Sequence, residues 1–422
     1  MGRLDLAIIA DDLTGAADSG VQLARSGYRT AVVFRGADFP SEEDLDAVAV
    51  DTDSRPLPAG FAAKRAAEAG KAMRGARVVY KKIDSTLRGP VAAELAAALG
   101  ATGRERAVVA PAFPGAGRTT RDGVQLVNGE PVHETGLAHD PSTPVSEGHI
   151  PSLLSETSFS VADLSVAEVR DGGSVWDALK SADCVVADAE SDADLEALVR
   201  AVPDPSTVLW VGSAGLARAL GKVYPGPRSD VPSEAPTPAS GVLAVVGSVN
   251  EVAREQLRCL AEEPSVAQVA LDTVALAAGS REEAVGEAAE AVRATLSGNR
   301  GAVLYSAAGE GVDSALREHS VSRGEISGRV TDALAEVVAT LSGEERFDAL
   351  VLTGGDTAVR VALVLGAMGI LLQGEIEAGV PNGTLIGPRP YRVVTKAGGF
   401  GGPDTLREAF RALANLQKEA KE

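Results

Sequence analysis

Cysteine is nearly absent from this chain of 422 residues, Cys184 and Cys259 being its two representatives. They stand far apart and fit no metal-ligand or redox spacing, so a disulfide-stapled fold is excluded and a reducing compartment is expected. Both are expected to be buried, inert thiols. Histidine is scarce as well, with four residues, no H-E-x-x-H and no zinc spacing, which makes them ordinary polar residues. Long apolar runs are missing. No stretch reaches the length of a membrane span, and the first apolar run, ended by Asp11 and Asp12, is too short for a signal peptide. Positive charge is in deficit, 40 Lys and Arg against 59 Asp and Glu for a net charge of −19, which argues against nucleic acid and anionic membrane as partners. Any anionic ligand must then be held by local cations. A cytoplasmic protein acting on small molecules is expected.

What is present is an alternation of short apolar strands and helical patterns, the signature of βαβ units and parallel sheets. Leu6 to Ala10 is all apolar, as in a strand buried on both faces. Thr30 to Phe34 repeats that pattern, and a third strand ends in VAVDTDSR, leaving Asp51, Asp53 and Arg55 at its carboxyl end. The length points to two domains. The clearest boundary is PGPRSDVPSEAPTPAS at 225–240, five prolines among small and charged residues. The expected division is therefore a domain over 1–224, a linker over 225–240 and a second domain over 241–422. Each is expected to be a mainly parallel sheet with helices on both faces. No internal repeat of fixed period is found.

One stretch of the first half concentrates chemistry. YKKIDSTLRG, from Tyr80 to Gly89, follows an apolar strand and precedes the helical pattern VAAELAAAL. It places Lys81, Lys82, Asp84, Ser85 and Arg88 where open α/β sheets bind ligands, outside the strand ends and near a helix N-terminus. The plain structural alternative is that Asp84 or Ser85 caps the helix. Further along, residues 111–145 lose all periodicity and carry Arg118, Arg121, His133, His139 and Asp140, which reads as a long functional loop.

In the second half, three strand ends carry glycine-rich turns: Gly247-Ser248, Gly354-Gly355-Asp356-Thr357, and Lys396 to Gly401 around Gly398. Glycines let backbone amides approach phosphate oxygens, Lys396 supplies a compact cation, and Asp356 could hold Mg²⁺. Each turn alone is an ordinary βα connection, and three together are less so. Standard fingerprints are absent, since no G-x-x-x-x-G-K-[ST] occurs and KAGGFGG departs from G-x-G-x-x-G.

IADDLTGAADSG, KKIDSTLRG, PAFPGAGRTT followed by HET and DP, TGGDTA and VVTKAGGFG together resemble the four-carbon acid sugar kinase family, in the family's order and from residue 4 to about residue 410. That family includes threonate, erythronate and 3-oxo-tetronate kinases. The resemblance implies an N-terminal domain that binds the sugar acid, a C-terminal domain that binds ATP, and an active site in the cleft between them. It implies transfer of the γ-phosphoryl group to the terminal (C4) hydroxyl, with Mg²⁺ bridging the phosphates. Carried over by motif, Ser248, Gly354, Gly355, Asp356, Thr357 and Gly398 belong to the nucleotide site. Asp11, Asp12, Arg55, Lys82, Asp84, Ser85 and Arg88 belong to the sugar-acid site.

Phosphoryl transfer needs positioning and charge neutralisation more than covalent chemistry. Arg88 or Arg55 offers a planar fork to the acceptor's carboxylate, and Lys81 or Lys82 a charge for the γ-phosphate. Asp84 or Asp12 is the expected general base, with Asp84 favoured. Rival readings are a kinase for a branched or five-carbon acid, a silent sugar-acid sensor, and a dehydrogenase, the last disfavoured by the missing dinucleotide fingerprint. A homodimer is the oligomer to expect on general grounds.

Overall fold

The computed structural model of the chain describes residues 4–36, 44–140, 143–228, 239–247, 250–298, 301–307, 309–344 and 346–415. The chain divides into two compact units, Met1–Val231 and Pro232–Glu422. Most of the expected linker over 225–240 lies outside the described residues. Among the described residues no helix is long and apolar enough to cross a membrane.

Unit 1 contains β1 (Leu6–Ala10), β2 (Thr30–Val33), β3 (Ala47–Asp51), β4 (Val78–Lys82), β5 (Arg106–Ala110), β6 (Arg118–Arg121), β7 (Val124–Val127), β8 (Glu130–Pro131), β9 (Val161–Leu164), β10 (Cys184–Ala187) and β11 (Val208–Gly212). Eight of them form a sheet in the order β2-β3-β1-β4-β11-β5-β10-β9, every neighbouring pair parallel. The central strands are buried on both faces, which is why they are written as apolar runs and not as alternations. Helices α1 (Leu13–Ala24), α2 (Ala59–Met73) and α3 (Val91–Thr102) follow β1, β3 and, after the KKIDSTLRG turn, β4.

The described residues of 111–145 are not a structureless loop. They fold into the three-stranded antiparallel sheet β6-β7-β8 and three short 3₁₀ turns. Strands of two to four residues are too short to show a two-residue period against turn residues. Of the polar groups there, Arg121 pairs with Glu190, His133 lies 3.9 Å from Glu134, and Asp140 accepts the Thr143 amide at 2.8 Å. Gln125 on β7 instead reaches back to the KKIDSTLRG segment.

Unit 2 contains β12 (Val242–Val246), β13 (Val266–Leu271), β14 (Gly301–Ser306), β15 (Ala349–Thr353), β16 (Gly369–Glu375), β17 (Pro381–Ile386) and β18 (Arg392–Lys396). Their order is β13-β14-β12-β15-β18-β17-β16. The first five are mutually parallel, and β18, β17 and β16 pair antiparallel. The segment ILLQGEIEAGVPNGTLIG is thus a hairpin appended to a parallel sheet. The core of this unit packs Val242, Ala244, Val246, Val351 and Val394 against Leu406 and Phe410 of the closing helix Thr405–Ala414.

Candidate functional site

In unit 1 the chain leaves β1, moves two places to β2, returns to β3 beside β1, and then crosses to β4 on the opposite flank. Ala10 therefore pairs with Asp51 on one side and with Lys82 on the other. Strand connections diverge at such a reversal and leave a crevice at the carboxyl ends. Asp11 and Asp12 follow β1, Arg55 follows β3, and Asp84, Ser85 and Arg88 follow β4, so residues spread over 78 positions of sequence meet at three neighbouring strand ends.

Arg55 is the hub of this crevice. Its Nε donates to Asp11 Oδ2 at 2.6 Å, its Nη2 to Asp12 Oδ1 at 2.7 Å, and its Nη1 stands 3.4 Å from Asp84 Oδ2. Burial disfavours its charge, but the three carboxylates outweigh that and raise its pKa well above the ordinary value. Arg88 adds two bonds to Asp84 Oδ2, at 2.9 and 2.6 Å, and Thr86 gives Asp84 Oδ1 both its amide and its hydroxyl, at 2.7 and 2.6 Å. Burial would push the Asp84 carboxyl up; Arg55, Arg88 and Lys82 overcome it and hold the group well below the usual carboxylate range. Asp11 follows the same pattern, raised by burial and carried down by Arg55 and Lys82. Asp84 caps no helix, because α3 starts after Pro90 with no side-chain cap.

The two lysines part company. Successive strand residues face opposite sides of a sheet, and Lys81 points to the α3 side, where it is fully buried and pairs with Glu94 at 2.6 Å. A lysine locked there cannot meet a phosphate, which corrects the expectation that either lysine could do so. Lys82 faces α1. Its ammonium stands 4.0 Å from Asp11 Oδ1 and donates no hydrogen bond within the described residues. Asp11 Oδ1 is likewise buried without a hydrogen-bond partner. Gly15 makes the room, since a Cβ there would lie 2.6 Å from both Asp12 Oδ1 and Lys82 Nζ. Gly89, at φ +88°, plays the same part for Arg55, whose Cγ would be 3.1 Å from an added Cβ.

Ser85 is half-buried, and its carbonyl accepts from Gln125 Nε2 at 2.6 Å, with Gln125 itself held by the Thr120 hydroxyl at 2.7 Å. Nothing in the sequence singles out Gln125, and Thr86 stands there only as the second of two hydroxyls after Asp84. The sequence marks Asp51 only as a strand end, yet this residue is 2% exposed with Oδ1 accepting the Asp53 amide at 2.8 Å. Burial, reinforced by repulsion from Asp12, Asp53 and Asp11, raises its pKa to about 7. The signal that could have found it is an acidic residue ending an apolar run, as Asp11 does.

Unit 2 brings its own strand ends together with different chemistry. Gly354, at φ +99°, donates its amide to Lys396 O at 2.9 Å and opens the helix Gly355–Val364 without a side-chain cap. The amides of Gly355, Asp356 and Thr357 are therefore the helix's first donors without intrahelical acceptors, the arrangement that favours an anion. Gly247, after β12, touches the same turn: an added Cβ would sit 2.1 Å from Thr357 Oγ1. Lys396 is 3% exposed and donates to Ala397 O at 2.8 Å and Gly398 O at 3.1 Å. Burial lowers its pKa to about 8, with Glu377 pulling the other way. Gln256 Nε2 pins the rest of that loop through Phe400 O and Gly402 O, both at 2.9 Å. Gly354, Gly355, Asp356, Thr357 and Gly398 thus lie on adjoining loops of one sheet edge, while Ser248 lies outside the described residues. Of the thiols, Cys184 is buried with its pKa pushed up to about 12, as an inert group should be, whereas Cys259 is only half-buried.

A family model described as a sugar-binding N-terminal domain matches residues 6–220, and one described as a nucleotide-binding C-terminal domain matches residues 243–406. A D-threonate kinase of Bordetella bronchiseptica is 39% identical, the alignment covering 98% of each chain. A D-erythronate kinase of Heliobacterium modesticaldum is 33% identical over 95% of each. In fold, the chain resembles a crystal structure of a Haemophilus influenzae protein at a TM-score of 0.75 and 24% identity, covering 96% of this chain and all of that one. The chain belongs to the four-carbon acid sugar kinase family.

Proposed function

We propose that the chain transfers the γ-phosphoryl group of ATP to the terminal hydroxyl of a four-carbon sugar acid, with D-threonate the first candidate. The observation that carries this reading is the unit 1 crevice, where a nearly buried lysine ammonium without a hydrogen bond faces a carboxylate oxygen that also lacks one. Such a pair is costly unless something polar fills it. A polyhydroxy acid and a phosphoryl group supply both the anion and the hydroxyl it wants. D-threonate is preferred because the D-threonate kinase stands at 39% identity and the D-erythronate kinase at 33%.

Arg88 grips the acceptor's carboxylate, since its side chain is 29% exposed while Arg55 is committed to three carboxylates. Lys82 neutralises charge on the transferred group. Asp84, Asp11 and Asp12 orient these cations. The sequence favours Asp84 as the base, but its carboxylate is saturated by two arginines and Thr86, and a group held that far down is a weak proton acceptor. Asp51, raised to about 7, has the basicity that deprotonating a hydroxyl near neutral pH calls for.

On the nucleotide side, the amides after Gly354 and the charge of Lys396 hold the phosphates. Magnesium carried by a nucleotide keeps most of its waters and needs one or two protein carboxylates, so Asp356 in the first turn of that helix fits the role, and the ion would neutralise phosphate charge. The test is ADP release with Mg·ATP across both enantiomers of threonate and erythronate, their 3-oxo forms, and branched and five-carbon acids. Turnover on D-threonate supports the reading. Turnover on a five-carbon acid alone would move the substrate, and silence on every acid with ATP still bound would leave a sensor.

A further inference from the structure

The turn from Asp84 to Arg88 does not keep its shape by local preference alone. Leu87 sits at φ +60°, a left-handed conformation that a residue with a bulky side chain adopts at a cost. Such conformations persist where the surroundings over-determine them. Two ties are local: Thr86 binds Asp84 Oδ1 through its amide and its hydroxyl, and the Leu87 amide donates to Asp84 O at 3.0 Å. The Leu87 side chain is buried in the core cluster that includes Val91 and Leu95. From outside the segment, Gln125 on β7 holds the main chain, its Nε2 donating to Ser85 O at 2.6 Å.

We propose that Gln125 is a positioning residue for the acceptor, fixing the Asp84–Arg88 turn so that Arg88 meets the sugar acid's carboxylate, an inference that rests on the kinase reading. Ser85 lies between Asp84 and Arg88, whose side chains bond each other, so a shift of its peptide moves both. Three observations support the role. Gln125 is fully buried on a strand of four residues, where an apolar side chain would leave no polar group to satisfy. Both ends of its amide are committed, the nitrogen to Ser85 O and the oxygen to the hydroxyl of Thr120, its partner across the strand pair, at 2.7 Å. A carbonyl can only accept, so the amide nitrogen must face Ser85 and the side chain stands in one orientation. Finally, the hairpin that carries Gln125 is anchored to the main sheet. Asp188, after β10, takes the amides of Asp122 and Gly123 on its two oxygens, at 2.7 and 3.0 Å. Thr120 and Ala189 exchange backbone bonds at 2.9 and 3.1 Å, and the Gln125 amide donates to Gly148 O at 2.9 Å. Gln125 thus reaches the turn from a fixed support, which is what holding a charged side chain in place requires.

The sequence hides this role, because the glutamine of VQLV reads as the polar face of a short strand. The charged residues Arg121, His133 and Asp140 stand out instead, yet they face Glu190, Glu134 and Thr143. Among the described residues, the segment reaches the Asp84–Arg88 turn through a neutral amide.

The experiment compares the full wild-type chain with two variants. Gln125→Met keeps the length of the side chain and neither hydrogen bond, and Thr120→Val keeps Gln125 but frees its amide to turn. Initial rates with Mg·ATP would be read over a range of the acid that turns over best, D-threonate by expectation, and calorimetry would read binding of that acid without turnover. A buried acceptor left without its donor is costly, so Gln125→Met should raise the KM and Kd for the acid by about 10-fold, with kcat lowered less and the KM for ATP unchanged. Thr120→Val should move the same constants by a smaller factor. A role in stability alone would lower the folded fraction, and kcat with it, while both KM values stay at those of wild type. That result, or the failure of both variants to fold, would overturn the positioning role and leave the kinase reading standing. A wild type that binds D-threonate but transfers no phosphoryl group would overturn the kinase reading, and the shift in Kd would still decide the role of Gln125. A wild type that neither binds nor phosphorylates any acid of the panel would overturn both.

Discussion

The two units wind their first four strands alike and furnish the result with opposite chemistry. In unit 1 the order β2-β3-β1-β4 places a reversal at β1, and in unit 2 the order β13-β14-β12-β15 places the same reversal at β12. At the first, side chains do the work, with Arg55 bridging three carboxylates and Lys82 standing over Asp11. At the second, side chains are withdrawn: Gly247 and Gly354 carry no Cβ beside the turn, and the first amides of the helix Gly355–Val364 have no side-chain cap. A small acceptor must be recognised group by group, which calls for directed charges. A polyphosphate is recognised as a row of oxygens, which calls for amides and close approach. One winding therefore suits both kinds of ligand, because the crevice comes from the winding and the chemistry from what lines it.

The largest effect should come from Arg55. Arg55→Met strands three carboxylates in a largely buried crevice, and breaking a buried ion network costs about 3–5 kcal/mol. Urea unfolding should show that loss in unit 1, and activity should vanish with it. An unchanged midpoint would mean that the hub is only surface decoration.

Asp51 sharpens the contrast within unit 1. Its folded pKa of about 7 lies above the ordinary carboxyl value of 3.8, so the folded state holds a proton that the unfolded state releases. Its contribution therefore weakens the fold progressively from about pH 4 to pH 7. Asp51→Asn should be the more stable protein above pH 7, by roughly 4 kcal/mol at most, with the gap closing below pH 4. If Asp51 is also the base, the same variant loses the limb near pH 7 from the pH profile of kcat/KM. Asp84 behaves in the opposite sense: its depressed pKa stabilises the fold above the ordinary carboxyl value, and that stabilisation is lost as the solution becomes more acid.

In unit 2 the expected damage is steric. Gly247→Ala places a methyl 2.1 Å from Thr357 Oγ1, a clash the turn must relieve by shifting, at about 1–3 kcal/mol. Calorimetry should show weaker ATP binding with D-threonate binding unchanged. The smallest effect is a proton. Lys396, lowered to about 8 by burial, is partly neutral at pH 8.5, and a bound polyphosphate should recharge it. Binding heats in two buffers of different ionisation enthalpy should reveal a fractional proton uptake that fades by pH 7.

Much of this is legible in the residues. Strands buried on both faces announce themselves as apolar runs, and the acidic or glycine residues that end them at Asp11, Asp84 and Gly354 mark the strand ends where the candidate sites lie. The side of the sheet is harder to read. Lys81 and Lys82 look like a pair, and only the pleat separates the one tied to Glu94 from the one facing Asp11. The role of Asp84 is invisible for another reason, because its basicity is set by Arg55, 29 positions away, as much as by its neighbour Arg88. The likeness of the two windings leaves no trace as a sequence period, since a crossover depends on apolar strands and not on residue identity.

Paired titration of the full chain probes the division of labour between the two units. D-threonate and ATP would be titrated separately into wild type, Arg88→Ala and Gly247→Ala. Arg88→Ala should lose D-threonate and keep ATP, while Gly247→Ala should do the reverse. Loss of ATP with retention of D-threonate in Arg88→Ala would contradict that division.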